Sequence, residues 1–403
     1  MKIVGLIAEY NPFHNGHQYH IEKAKEKTGA DTVIVIMSGN FVQRGAPAIM
    51  PKHLRTQMAL NVGVSLVIEL PVCYATGTAE QFAYGAVSVL NSLGCVDTIC
   101  FGSECGDIHI LNELAQILCD EPTEYKDCLQ KHLRNGLSFP LARQKTMDEI
   151  YPSRHFGDIL GCPNNILGIE YLKALYRLNS KIEPYTIQRI SSQYHDVELQ
   201  ERFSSATALR QTITSGDFAK LSGQIPCSNI DLFEEYYQKR FPVYANDFSL
   251  LLKYRLLNET KSSLTQYADV SEELANRIRN QLNNFVSYEQ FCELLKTKEV
   301  TYSRISRALL HILLGVKKID YTDITYARVL GFKKDDSDVL TEIKNKAAIP
   351  LLTKLTITKD LPDSAVAMLN QDIYAANLYE SVVTDKFKTC FINEYKQSIS
   401  ITN

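Results

Sequence analysis

The sequence predicts an α/β protein: a Rossmann-like parallel-sheet domain followed by a mainly α-helical C-terminal domain. Three features say so. Short apolar runs alternate with amphipathic stretches over about the first 100 residues. Polar, chemically unusual residues gather just after those runs. From about residue 226 glycine thins and apolar residues recur at helical spacing as far as about residue 335.

Each element has its own signal. Residues 2–8 form an apolar run suited to a strand buried on both faces. Residues 16–28 read as a helix, with Ile21 and Ala24 inward, Glu22, Lys23, Lys25, Glu26 and Lys27 outward, and Gly29 as the stop. Residues 31–37 are a second strand, 51–62 a helix, 65–70 a third strand closed by Pro71, 79–93 a helix and 96–101 a fourth strand. Such an alternation implies right-handed crossovers and an open sheet, whose ligands bind beyond the carboxyl ends of the strands. Residues 106–140 read as an inserted helical pair, 163–175 as a helix, 184–190 as a late strand and 204–215 as a capped helix. A small α/β element is expected within 331–360, with a helix over 339–347 and a strand over 351–357.

At 403 residues two domains are expected, divided softly near 226 into 1–225 and 226–403. Hydrophobic residues at 45% and charged residues at 22% are the balance of a folded globular chain rather than a disordered one. Lys+Arg 43 against Asp+Glu 46 gives −3, so any nucleic-acid surface must be local. No stretch reaches the roughly 18 apolar residues of a membrane span. Residues 1–7 lack a small-residue cleavage site and read as the first strand rather than a leader. The ten cysteines form no CxxC pair and no zinc-finger spacing, which predicts reduced thiols, no protein-held metal and a cytoplasmic address.

The strongest chemical signal is Asn11-Pro12-Phe13-His14-Asn15-Gly16-His17, placed after the first strand and opening a helix. A helix N-terminus offers unpaired N–H groups and partial positive charge, a ready phosphate site. His14 and His17 add imidazole donors, and Gly16 permits close approach of backbone to ligand. A polar cap with incidental histidines is the plain alternative. The His-x-Gly-His spacing at a strand-to-helix turn argues against it.

A second constellation is Ser204-Ser205-Ala206-Thr207-Ala208-Leu209-Arg210, where either serine would cap a helix carrying Arg210. A third runs through Ser38, Gly39, Asn40, Phe41, Val42, Gln43 and Arg44, with Lys52 and Arg55 on the next helix. Arg44, Lys52 and Arg55 are cations suited to an anionic substrate or to phosphates. The run Phe101-Gly102-Ser103-Glu104 offers backbone to adenosine, and Asn164 and Asn165 offer amides, with Arg189 ending the late strand beside Ser191 and Ser192. In the C-terminal half, Arg304 and Arg307 share a helix face, Lys317 and Lys318 follow, and Tyr326 and Arg328 come next. A basic stripe with tyrosines fits RNA backbone contact and base stacking.

The segment His14-x-Gly16-His17 resembles the signature of the HIGH-type nucleotidyltransferases. Ser205 to Arg210 is similar to the Ser-Ser-Thr-x-Ile-Arg motif of adenylyltransferases, departing from it at Ala206 and Leu209. No Lys-Met-Ser-Lys-Ser box is present, which tells against a standard aminoacyl-tRNA synthetase. The ordered motifs GLIAEYNPFHNGH, MSGNFVQRGAPA, IELP, FGSE, PNNILGIEYLKAL and RISSQYHD resemble the bacterial tRNA(Met) cytidine acetate ligase family, densely up to Ser215 and more thinly beyond. The resemblance implies activation of acetate by ATP and acetylation of N4 of the wobble cytidine of elongator tRNA(Met), with Mg²⁺ on the phosphates. Nucleic acid other than tRNA, such as DNA, and membrane are not implied. Carried over by motif, the ATP site is Ile7, Ala8, Glu9, Tyr10, Asn11, Pro12, Phe13, His14, Asn15, Gly16, His17, Gln18, Tyr19 and His20, with Gly102, Asn164, Asn165 and Arg189. His14, His17, Arg210 and Lys52 are the expected catalytic groups. Ser38, Gly39, Asn40, Arg44 and Glu104 are the expected substrate contacts, and Arg304, Arg307, Lys317 and Lys318 the tRNA contacts. Two rivals stand beside this reading: a small-molecule adenylyltransferase of cofactor synthesis, and an RNA-binding protein with a regulatory nucleotide site.

Overall fold

A computed structural model describes residues 1–189, 205–216, 221, 223–318, 324–356 and 361–403. Ser204, Ser191 and Ser192, and most of the RISSQYHD run, lie outside the described residues.

Ten strands are described: β1 (Ile3–Ala8), β2 (Thr32–Ser38), β3 (Phe41–Val42), β4 (Ala46–Pro47), β5 (Leu66–Leu70), β6 (Thr98–Ser103), β7 (Glu183–Gln188), β8 (Ala327–Lys333), β9 (Leu351–Leu352) and β10 (Ser400–Thr402). The main sheet runs β10-β8-β5-β2-β1-β6-β7, with β9 beside β8. β5, β2, β1, β6 and β7 are mutually parallel, as the alternating pattern predicts. Every residue of β2 and β5 is buried, because helices cover both faces.

β1 pairs with β2 on one side and β6 on the other, so the strand order reverses at β1. That reversal opens a crevice at the carboxyl ends of β1 and β6. The helix Asn15–Thr28 packs Ile21, Ala24 and Thr28 inward. The predicted helices appear as Lys52–Asn61, Ala79–Ser92, Pro163–Arg177 and Ala206–Ser215. The insertion is longer than a pair: Ile108–Asp120, Thr123–Arg134, Phe139–Ile150 and Phe156–Leu160.

The later half is mainly helical, including Ser249–Leu257, Glu272–Gln281, Tyr288–Leu295, Tyr302–Leu314 and the long helix Asp363–Phe387. Two strands lie in this mainly helical half besides the expected one near residue 351. β8 falls within the predicted helical stretch and pairs antiparallel with β5, and β10 then adds parallel to β8. The chain thus returns to extend the N-terminal sheet. Its residues Val329 and Leu330 are buried there, which covers the edge that β5 would otherwise expose.

A buried ion cluster fixes this return. Lys52 Nζ lies 2.7 Å from Glu69 Oε1 and 2.8 Å from Glu394 Oε1, and Arg328 Nη1 lies 2.8 Å from Glu69 Oε2. Arg328 also pairs with Glu394. Two cations against two carboxylates balance, which is the condition for burying charge at tolerable cost. Burial alone would raise the Glu394 carboxyl, but Lys52, His53 and Arg328 hold it well below its ordinary range.

Candidate functional site

The crevice holds a pocket of about 340 Å³. It is lined by the ends of β1 (Ile7 to Asn11), β6 (Phe101, Gly102) and β7 (Ile187 to Arg189), by the start of the first helix, and by Gln43, Arg44, Asn164 and Arg210.

The helix Asn15–Thr28 begins with a cap made of histidines. His14 is the N-cap, and its Nδ1 accepts from Gly16 N–H at 3.0 Å. His17 Nδ1 accepts in turn from His14 N–H at 3.3 Å. The two rings stack, with centroids 3.8 Å apart. A nitrogen that accepts a backbone N–H carries no proton, so the neutral ring keeps its proton on Nε2. Burial, then the charges of Arg189 and Arg210, lowers the His14 pKa to about 3. Burial, then the His14, Arg189 and His20 charges, pushes His17 well below its ordinary value. Both are therefore neutral Nε2–H donors at pH 7, on side chains that line the pocket. His20, lowered by burial to about 4, adds an Nε2 that is buried without a hydrogen-bond partner among the described residues. Gly16 is required here: a Cβ on it would lie 2.8 Å from the His14 ring.

Arg210 and Arg189 add guanidiniums beside these neutral donors. Arg210 Nη1 donates to Asn11 O at 2.8 Å and Nη2 to Thr207 Oγ1 at 3.0 Å, which anchors it to the first turn. Ser205 caps the Arg210 helix through Ala208 N–H at 3.1 Å. Arg189 follows β7, its N–H donating to Ser103 O at 2.9 Å.

Sequence reasoning placed several other residues at the site, and the structure gives them different positions. Pro12, Phe13, Asn15 and Gln18 do not line the pocket. Phe13 is buried against Tyr10 and His17, Asn15 Nδ2 donates to Gly223 O, and Gln18 donates to Glu22. Asn164 lines the pocket, but Asn165 is buried, its Oδ1 accepting from the N–H groups of Glu104 and Cys105. Glu104 is not on the lining. Its carboxylate accepts from Asn164 N–H and Nδ2 and from Asn165 N–H, capping the helix Pro163–Arg177. Glu104 therefore caps the helix that brings Asn164 to the pocket.

Lys52 also lies off the lining, its ammonium taken up by Glu69 and Glu394. That corrects the expectation of a catalytic cation there. Ser38, Gly39 and Asn40 are likewise outside the pocket: Arg55 donates to Ser38 O, Gly39 O and Glu9 O, and Asn40 Oδ1 accepts from Lys52 N–H. Arg55 ties the ends of β1 and β2 together instead of facing a ligand. Of this loop Arg44 and Gln43 line the pocket.

Residues the sequence reading passed over include Ala79, Phe82, Leu167, Tyr171 and Ile187. Their signal is only positional. Each sits at or just after a strand end, or on a helix facing one, and their apolar character reads as core.

The expected RNA stripe divides. Arg304 and Lys318 are exposed, and Lys317 reaches Gln266 at 3.3 Å. Arg307 is paired with Asp269 at 2.9 Å, a carboxylate that linear sequence places well away. Tyr326 and Arg328 are buried: Tyr326 donates to Asp372 at 2.8 Å, and Arg328 belongs to the ion cluster. They make no RNA surface.

All ten cysteines are free thiols. Among the described residues the one grouping of metal-capable side chains is Cys128, His132 and Glu149, off the pocket and with Glu149 paired to Lys131. No described helix is long and apolar enough to cross a membrane.

Neutral imidazole donors and two guanidiniums at a helix N-terminus, on the carboxyl edge of a parallel sheet, define a nucleotidyl-transfer site. Comparison with known proteins agrees. A family model described as HIGH Nucleotidyl Transferase matches residues 1–393. A tRNA(Met) cytidine acetate ligase of Acetivibrio thermocellus is 43% identical over 392 residues, covering 94% of each chain. One of Clostridium novyi is 41% identical over 387 residues, covering 93% of this chain and 96% of the other. The crystal structure of Thermotoga maritima TmcAL in an apo form superposes with a TM-score of 0.93 at 32% identity, over 100% of this chain and 99% of that one. The form bound with α-thio ATP gives 0.91. The chain belongs to the tRNA(Met) cytidine acetate ligase family of HIGH nucleotidyl transferases.

Proposed function

We infer that this chain is an ATP-dependent ligase that activates acetate as acetyl-AMP and acetylates N4 of the wobble cytidine of elongator tRNA(Met). The observation that carries the ATP half is the histidine-capped helix facing the pocket, with Arg189 and Arg210 on the same wall. The relatives' name supplies acetate and cytidine.

The carboxylate oxygen of acetate attacks the α-phosphorus of ATP in line, and the bond to the pyrophosphate oxygen breaks. Charge grows on the phosphate oxygens, and the Nε2–H groups of His14 and His17 stabilise it with Arg210. Arg189 lies at the β6–β7 side, where Phe101, Gly102 and Ile187 give adenosine an apolar, backbone-lined wall. Arg44 faces the carboxylate of the acyl donor. The cytidine N4 lone pair is delocalised into the ring, so it needs an activated acyl group. It attacks the acetyl carbonyl, loses a proton, and AMP leaves. Because each Nδ1 accepts a backbone N–H, the Nε2–H of each ring is the group left to donate to phosphate.

Mg²⁺ supplies further charge neutralisation when it accompanies ATP. Among the described residues the pocket builds no protein-held site for it. Glu9 is the one carboxylate among the described lining residues, and its Oε1 already accepts from Gln43 N–H at 2.8 Å. The ion would ride on phosphate oxygens.

The exposed Arg304, Lys317 and Lys318, with Arg307 behind them, are the proposed tRNA contacts, on the mainly helical portion after residue 225. A tRNA substrate supports a cytoplasmic address. The deciding experiment measures acetate-dependent pyrophosphate release with and without bacterial tRNA, then nucleoside mass spectrometry. Acetate dependence and new N4-acetylcytidine are expected. Activity indifferent to acetate would replace this reading with cofactor adenylylation, and tRNA binding without pyrophosphate release with a regulatory one.

A further inference from the structure

Two loops that wall the pocket are gripped from outside the sheet by a single helix. The first is the β3–β4 hairpin, which carries Gln43 and Arg44 into the pocket. The second is the turn at Thr76 and Gly77, which leads into Ala79 and Phe82. The helix Tyr302–Leu314 holds both.

At its first grip, Ser306 Oγ donates to Gly45 O at 2.7 Å. Tyr288 OH lies 3.0 Å from Ser306 O and 3.4 Å from the same Gly45 carbonyl, locking hydroxyl and loop together. All of these groups are buried. At its second grip, one and a half turns on, His311 Nε2 lies 3.0 Å from Thr76 O and 3.1 Å from Thr76 Oγ1. The loops are also tied to one another, since Gln43 Nε2 donates to Gly77 O at 3.3 Å.

Gly45 is the tightest point. Its φ is +78°, and a Cβ there would lie 2.3 Å from Arg307 N and 2.6 Å from Ser306 C. That is backbone against backbone, which a side-chain rotation cannot relieve. On the pocket side, Gln43 N–H donates to the half-buried carboxylate of Glu9, and Arg44 contributes to the charge around that carboxylate. The path from Arg304 on the surface to Arg44 in the pocket therefore needs only Ser306 and Gly45 between them.

We propose that Ser306 and Gly45 are positioning residues for acetate activation: through them the helix Tyr302–Leu314 sets Gln43 and Arg44 against the nucleotide, so that tRNA seated on the Arg304 face and the adenylate-forming pocket share one rigid element. The proposal rests on the ligase reading and deepens it, because it makes the first chemical step depend on the RNA-side helix. A displacement of about 1 Å in a positioning group typically costs on the order of 10²-fold in rate.

The test uses the full chain, with Ser306→Ala removing one hydroxyl and Gly45→Ala forcing the backbones apart. Amide hydrogen exchange over residues 41–47 is the primary readout, because it needs no activity. Ser306→Ala should speed that exchange about tenfold, leaving β1 protected, and wild-type exchange there should slow when tRNA is added. Acetate-dependent pyrophosphate release should fall about tenfold in kcat/KM for acetate, with the tRNA effect on it diminished. A merely structural role would lower the unfolding midpoint and leave kcat/KM for acetate per folded molecule, and the tRNA effect on it, unchanged. Ser306→Ala with wild-type exchange over 41–47 overturns the positioning role, even if Gly45→Ala fails to fold. Wild-type exchange indifferent to tRNA overturns the shared element. An absence of acetate-dependent release in the wild type would instead sink the ligase reading, while the exchange result still stands or falls alone.

Discussion

Replacing Lys52 with methionine separates a structural ammonium from a catalytic one. In the folded chain Lys52 and Arg328 face Glu69 and Glu394, two charges of each sign, all buried. Methionine keeps the apolar stem and removes the charge. Glu69 then retains only Arg328, and Glu394 retains Arg328 and His53, so one buried negative charge is left uncompensated. Removing one partner of a buried pair costs about 3–5 kcal/mol. Against a total stability of about 5–15 kcal/mol the variant still folds at low temperature, with a clearly lower urea midpoint. Far-UV circular dichroism in urea reads the stability, and acetate-dependent ATP–pyrophosphate exchange reads the chemistry. Exchange per folded molecule should stay close to wild type. The double variant Lys52→Met/Glu394→Gln restores the balance and should recover at least about 1 kcal/mol, the coupling expected of contacting residues. An unchanged urea midpoint with exchange reduced 10²–10³-fold, the loss expected of a charge-stabilising donor, would refute this reasoning and return Lys52 to the catalytic set.

Further outcomes follow from the same geometry. His17→Ala should cut acetyl-adenylate formation by about 10²–10³, since it removes an Nε2–H donor. The fold should survive, because the losses are confined to the acceptor of the His14 N–H and ring contacts with Tyr10, Phe13 and His14; rapid-quench measurement at the wild-type rate would refute the role. His14 and His20 have folded pKa values of about 3 and 4, below the ordinary 6.5, so an unfolded chain takes up protons that the folded chain refuses. Stability from these groups is complete above pH 6.5 and is lost as pH falls toward 4, so the thermal midpoint should drop across that window, and less so with ATP bound. Asp372 runs the other way. Burial, then Glu69, raises its carboxyl to about 7, so its contribution is present below its ordinary 3.8 and lost as pH rises through 7. Asp372→Asn, able to keep the Val72 N–H bond, should be neutral or stabilising at pH 8; a large loss in calorimetry there would contradict it. Arg304→Glu with Lys318→Glu should raise the tRNA KM and flatten the salt dependence of binding, by roughly one unit of log–log slope for each phosphate no longer neutralised.

Much of the nucleotide site was legible in the linear chain, because its signals are local. A capped helix opening after a strand needs only residues 8–17, and the alternation of strands and helices already implies a parallel sheet with its ligands at one edge. The departures among the charged residues are long-range, whereas Phe13 and Gln18 are taken up by neighbours within a turn of helix. Lys52 looked like a free cation because Glu69 and Glu394 are distant in sequence, and Glu394 reaches it only when β8 and β10 return to the sheet. Arg307 and Arg328 looked like an RNA stripe because their carboxylates, Asp269 and Glu394, come from other elements. Glu104 looked like a substrate contact because a helix start about 60 residues away was not in view.

By itself the sequence determined the class of fold, the histidine turn and the order of the motifs, since each depends on residues within a few turns of one another. Tertiary structure decided which charges face the ligand and which neutralise each other. An ionisable side chain in a fold of this size is either solvated, paired or at work, and only the partners brought to it across the chain select among the three.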